Sequence, residues 1–141
     1  MKKLFATIAV VLFFTAVGTP QQAMAGNEAA NEPTSTESSA VLYSSYYSGT
    51  IGSNLYITMY LQYLSNGNYV GWYYYNKYGP NNKLRLEGYE EGNGTVKLFE
   101  YSNGNVTGSF EGVFNSRGEF IGTMYAIKSQ RRLSCRLVPF R

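Results

Sequence analysis

Leu55-Tyr56-Ile57-Thr58-Met59-Tyr60-Leu61-Gln62-Tyr63-Leu64, followed by Ser65-Asn66-Gly67-Asn68 and then Tyr69-Val70-Gly71-Trp72-Tyr73-Tyr74-Tyr75, is the stretch on which the fold turns. Aromatic and β-branched residues fill both arms, and such side chains fit a pleated surface. The Asn-Gly step between the arms tolerates the positive φ of a hairpin turn. Read as a two-residue turn, Asn66-Gly67 sets Tyr63 opposite Val70, Leu61 opposite Trp72 and Met59 opposite Tyr74. With Ile57 these form the expected core face. The other face pairs Gln62 with Gly71, Tyr60 with Tyr73 and Thr58 with Tyr75, and continues to Tyr56. It reads as a tyrosine platform, so Tyr56, Tyr60, Tyr73 and Tyr75 are the expected ligand- or partner-binding residues. Cross-strand aromatic pairs also stabilise a sheet by ~0.2–1 kcal/mol each, which gives the same rings a structural use.

The same grammar extends along the chain. Gly79-Pro80, Asn93-Gly94, Asn103-Gly104 and Arg117-Gly118 mark further reversals. Residues 42–141 hold one Ala but 20 aromatics (fourteen Tyr, five Phe and Trp72) and 13 Gly. A helical domain of this size would use more Ala. Strands are predicted at 46–51, 55–64, 69–76, 83–89, 95–101, 106–114, 119–128 and 132–140. The expected fold is all-β, a single antiparallel meander of about eight strands closing into a small barrel or sandwich. A hundred residues are enough for one core without disulfides.

Ser65-Asn66-Gly67-Asn68-Tyr69-Val70-Gly71 returns 37 positions later as Ser102-Asn103-Gly104-Asn105-Val106-Thr107-Gly108. Shared hairpin chemistry accounts for this more simply than duplication. Both copies carry an in-strand Gly, which marks a bulge, a bend or a close backbone approach. A two-residue turn in the second copy puts Leu98 opposite Ser109 and Glu100 opposite Thr107. Both faces of that hairpin are apolar, so the inward side stays open; Glu100 is a candidate polar group of the lumen.

The ends of the chain read differently. Lys2 and Lys3, the apolar run Leu4 to Val17 and the small residues of Ala23-Met24-Ala25 form a signal peptide, residues 1–25. That run of 14 residues is too short to span a bilayer core of ~30 Å. Residues 26–41, with three Glu and no base, read as a disordered polar leader, and 42–141 as the β-domain. The expected address is therefore the periplasm or the exterior, with no membrane span after cleavage. The β-domain carries ten Lys/Arg against six Glu, a net charge of +4. Five of its bases fall in the last fourteen residues, and they read as charge protecting an edge strand, with binding of an anionic surface as the alternative.

Gly71-Trp72-Tyr73-Tyr74-Tyr75, Leu84-Arg85-Leu86-Glu87-Gly88, Leu98-Phe99-Glu100, Thr107-Gly108-Ser109-Phe110-Glu111-Gly112 and Gly122-Thr123-Met124 follow in order. This succession resembles a group of small exported bacterial β-domains with Gly-x-Tyr-x-Tyr, Leu-x-Leu-x-Gly, Leu-x-Glu, Gly-x-Phe-x-Gly and Gly-Thr-Trp strands. Met124 stands where that pattern has Trp. The resemblance spans residues 48–125 and implies an exported β-domain, with no particular activity.

Composition narrows the chemistry. The 141-residue chain has no His and no Asp, and one Cys. A Ser-His-Asp triad, a His-containing metal site, an Asp dyad and a Cys-rich zinc site are all excluded, and no cofactor or metal is expected. Glu87, Glu100 and Glu111 lie on neighbouring predicted strands, and a glycosidase needs two carboxylates across a cleft. Without His to share acid–base work, the chain reads as no enzyme. Cys135, alternating with Leu133 and Leu137, reads as a core thiol. The modest charge and exported address argue against nucleic acid. The expected function is an exported, non-catalytic β-domain that binds a protein, glycan or apolar ligand, with an envelope protein or glycan as partner. Two alternatives are an inhibitor of a secreted or periplasmic hydrolase and a structural envelope or matrix component. The Ser-Gly-x-x-Tyr loop of lysozyme inhibitors is not found, since Ser48-Gly49 runs on into Thr50-Ile51-Gly52.

Overall fold

The computed structural model describes residues 38–140, so the signal peptide and most of the polar leader lie outside the described residues. Eight strands follow in order: β1 Val41–Ile51, β2 Leu55–Leu64, β3 Asn68–Tyr75, β4 Leu84–Glu90, β5 Val96–Ser102, β6 Asn105–Phe114, β7 Phe120–Ala126 and β8 Arg131–Phe140. Each pairs antiparallel with the next, and β8 pairs with β1, so the meander closes into a barrel. Closure removes full-length edges, the hazard of an open sheet. The expected edge-strand role of the basic C-terminal strand is thereby corrected, because β8 is paired with both β7 and β1. β1 begins at Val41 rather than 46: Val41-Leu42-Tyr43 extends along β2, and Ala40 and Ser65 tie its start through backbone and side-chain bonds.

Loops 52–54, 76–83, 103–104 and 127–130 form one rim, here the upper. Loops 65–67, 91–95 and 115–119 form the lower rim, where β1 starts and β8 ends. Inward residues from all eight strands, among them Ile51, Met59, Tyr73, Leu86, Leu98, Phe110, Phe120 and Leu137, make one continuous core. The interior is thus filled by side chains. Two glycines show how tightly the wall is drawn. A Cβ on Gly71 would lie 2.0 Å from the Tyr60 carbonyl oxygen, and one on Gly122 would lie 2.2 Å from that of Glu111. A side chain at either place would force neighbouring strands apart.

The first hairpin departs from the expected register. Tyr63 pairs with Tyr69, Leu61 with Gly71, Tyr60 with Trp72, Met59 with Tyr73 and Ile57 with Tyr75. The connection is a three-residue loop: the Gly67 N–H donates to the Leu64 carbonyl at 3.0 Å, and Gly67 takes φ 84°. A type I turn followed by a left-handed glycine has this form, and the extra residue turns β3 over relative to β2. Tyr69, Tyr73 and Tyr75 therefore face inward, whereas Val70, Trp72 and Tyr74 face outward. The second hairpin has its two-residue turn, with Asn103 at φ 50° and Gly104 at φ 79°. A bulge then follows: Tyr101 pairs with Val106 but Glu100 with Gly108, leaving Thr107 as the additional residue. Leu98 consequently faces Phe110 rather than Ser109, and both are buried.

Candidate functional site

The register decides where each expected site residue falls. Tyr60 stands on the outer wall, and Tyr56, 62% exposed, lies near the upper rim. Tyr73 is fully buried in the core, and Tyr75 is half-buried beneath the upper rim. The four tyrosines thus form no single platform; the longer 65–67 loop puts two of them on the opposite side of the wall. Tyr56 and Tyr75 still meet at a recess of about 340 Å³, with Tyr78 and Lys77 beside them.

Glu100 faces the interior and is buried. The Tyr73 hydroxyl donates to its Oε2 and the Thr107 hydroxyl to its Oε1. The Tyr75 hydroxyl lies 3.4 Å from that of Tyr73. Burial, reinforced by the charge of Glu100, holds the Tyr73 phenol far above its ordinary pKa, and burial raises Tyr75 likewise. Both phenols therefore stay protonated at neutral pH, and Tyr73 remains a donor. A buried carboxylate with a donor on each oxygen is a satisfied structural group. Glu87 lies outside, paired with Arg85, and Glu111 is exposed opposite Thr123. The three candidate carboxylates thus stand on two sides of one wall and share no cleft. Cys135 lies in the core with its thiol pushed up to about 12 by burial, which makes it a poor nucleophile.

A different constellation occupies the outer wall. Phe140 pairs with Tyr46, Tyr46 with Tyr60, Tyr60 with Trp72, Trp72 with Arg85 and Arg85 with Tyr101. These six residues lie in one cross-strand row over β8 and β1–β5. Ring centroids are 5.9 Å apart for Phe140–Tyr46, 4.8 Å for Tyr46–Tyr60 and 5.7 Å for Tyr60–Trp72, the last pair stacked. Lys83 Nζ sits 4.0 Å over the Trp72 ring, and the Arg85 guanidinium 4.5 Å over Tyr101. Each ring holds its neighbour, so the row is preorganised, and cation–π pairs of this exposed kind contribute ~0.5–1 kcal/mol. Neutral hydrogen-bonding groups flank it, with Ser48 and Thr58 on one side and Ser44 and Gln62 on the other. Gln62 Nε2 donates to the Tyr60 hydroxyl at 3.1 Å.

Of this row, sequence reasoning found only Tyr60. The missing signal is the pairing: a three-residue reading of the first loop sets Trp72 beside Tyr60, and Tyr46 follows from the β1–β2 hairpin. No family model, no curated protein and no solved structure matches the chain.

Proposed function

We propose that the protein is an exported, non-catalytic binding module that holds a glycan against the aromatic row of its outer wall. The observation that carries this reading is the alignment of Phe140, Tyr46, Tyr60, Trp72, Arg85 and Tyr101 across six neighbouring strands. A sugar ring has an apolar face of C–H groups and a rim of hydroxyls. Aromatic rings suit the first, and the Ser, Thr and Gln side chains flanking the row suit the second. Tyr46 and Phe140 are each nearly half exposed. The filled interior does not favour an apolar ligand in the lumen, and the separation of the glutamates does not favour glycosidic chemistry. The export reading rests on the sequence of residues 1–25.

The test is titration calorimetry with oligosaccharides prepared from bacterial envelope and matrix polysaccharides. Tyr46→Ser and Tyr60→Ser should each weaken binding at least tenfold, while each removes only ~0.2–1 kcal/mol of cross-strand contact from the fold. Glycan binding unchanged in both variants, or no binding by the wild-type protein, rejects the reading.

One observation favours a second reading, an inhibitor of a secreted hydrolase. The 76–83 loop of the upper rim carries an exposed Lys77 and an exposed Tyr78. Lysozyme assays in the presence of the protein test it directly, since an inhibitor slows the enzyme in a saturable manner.

A further inference from the structure

We propose that the first residues of β1, Val41–Ser45, are a strand-addition site for an uncharged, extended peptide, bordering the aromatic row at its Tyr46–Phe140 end. β1 spans eleven residues, yet β8 pairs only with Tyr46–Ile51, ending at Tyr46 opposite Phe140. Below that pair β1 continues as Val41-Leu42-Tyr43-Ser44-Ser45, joined to β2 on one side. Among the described residues no strand lies on its other side.

The direction of the backbone groups follows from one bond. The Gly52 N–H donates to the Ser134 carbonyl at 2.7 Å, so the even-numbered residues of β1 turn their N–H and C=O toward β8. Carried down the strand, this alternation points both groups of Ser44 toward the open side. A chain continuing the line of β8, antiparallel to β1, meets them as one hydrogen-bonded pair. The ground there is a recess of about 550 Å³ between Tyr43–Tyr46 on one side and Pro139 and Phe140 on the other. Tyr43 joins it to a second recess of about 250 Å³, walled by Tyr47, Tyr69 and Phe114 at the lower rim.

These features define the occupant. Main-chain bonds to an open edge hold an extended segment, and alternate side chains then select its sequence. Side chains on the inner side of such a strand meet tyrosine and phenylalanine rings, which suits apolar residues. Those on the outer side lie beside Ser44 and water, which suits hydroxyl residues. The residues lining both recesses carry no formal charge, so their surface is aromatic and hydroxyl in character. Open edges are commonly blunted by Lys or Pro; Val41–Ser45 contains neither, and Val41, Leu42 and Tyr43 are all half or more exposed.

The experiment uses a fluorescent heptapeptide alternating threonine and valine, and the same peptide N-methylated at alternate amides. Anisotropy titration should give saturable binding of the first and at least tenfold weaker binding of the second. Hydrogen exchange of the Ser44 amide should slow at least tenfold in the complex. Ser44→Pro removes the edge donor at a place where proline is tolerated, and it should weaken binding at least tenfold. Tyr43→Lys, which puts a charge between the recesses, should do the same without altering the backbone donor. Equal binding of both peptides, or no binding at millimolar peptide, overturns the proposal. Sedimentation showing a wild-type dimer that Ser44→Pro dissociates also overturns it, since the occupant is then a second copy of the chain.

Discussion

The tetrapeptide Ser-Asn-Gly-Asn closes two hairpins, at 65–68 and at 102–105, and it does so in two ways. In the first, Gly67 alone takes positive φ, and the odd residue is absorbed in a three-residue loop. In the second, Asn103 and Gly104 both take positive φ in a two-residue turn, and the odd residue appears as Thr107 in a bulge. Either device turns the second arm over relative to the simple reading. The two results converge: Tyr73 from one hairpin and Phe110 from the other meet edge to face at 5.3 Å. Tyr73 and Thr107 also donate to the same carboxylate, that of Glu100. Identical turn residues thus permit several registers, and burial of the partners further along selects one.

The strongest way to break this account is to exchange the two faces of β3 one residue at a time. Tyr73→Ser should cost ~3–5 kcal/mol, because it empties a buried aromatic site and also removes a donor from Glu100. Trp72→Ser, on the outer wall, should cost about 1 kcal/mol, on the scale of the lost cross-strand and cation–π contacts. Urea unfolding of the two variants measures both. The opposite ranking restores the two-residue turn and a buried Trp72.

A titration sharpens the same point at smaller scale. Burial pushes Tyr69 up to about 12 and Tyr73 higher still, whereas both phenols ionise near 10 when the chain is unfolded. The folded pKa values are raised, so this contribution is complete below pH ~10 and is lost as pH rises toward the folded values. Each phenol then removes ~1.4 kcal/mol of stability per pH unit, or about 3 kcal/mol per unit for the pair. Tyr47 and Cys135, raised by burial, act in the same direction. Urea midpoints measured from pH 9 to 11.5, with phenolate absorbance followed in parallel, should show a steep alkaline loss. Early titration of Tyr69 and Tyr73 in the folded protein would place their rings in water.

How much of this was legible in the sequence follows from where contrast existed. Eight strands in meander order follow from regular turn signals and from a single Ala in residues 42–141. β2 alternates Ile57, Met59 and Leu61 with Thr58, Tyr60 and Gln62, and its inward face is as expected. β3 offers no such contrast, since Tyr69, Tyr73 and Tyr75 resemble Trp72 and Tyr74 in size and apolar character. Its orientation therefore rested wholly on the turn, and Ser-Asn-Gly-Asn permits two. The bulge at Thr107 left no mark in the sequence beyond the nearby Gly108. The outer row could not be assembled from single hairpins, because it requires five registers to be correct together.

The smallest expected effect compares the two turns themselves. Asn103 holds a left-handed conformation at φ 50°, which asparagine tolerates better than residues lacking its short polar side chain. Asn66 holds no such conformation; its side-chain oxygen accepts the Asn68 N–H at 3.1 Å in an exposed turn. Asn103→Ala should therefore cost ~1 kcal/mol, the scale of left-handed strain for a residue with a Cβ. Asn66→Ala should cost about half as much, the low end for one hydrogen bond. Replacement by Gly separates the causes further. Asn103→Gly keeps the turn's freedom and should be close to neutral, whereas Asn66→Gly loses the side-chain bond and adds backbone entropy to the unfolded chain. Thermal melts of the four variants in one buffer resolve differences of this size. Equal losses at 66 and 103 would mean that the two tetrapeptides adopt one turn, and the contrast between the hairpins would then lie in their strands alone.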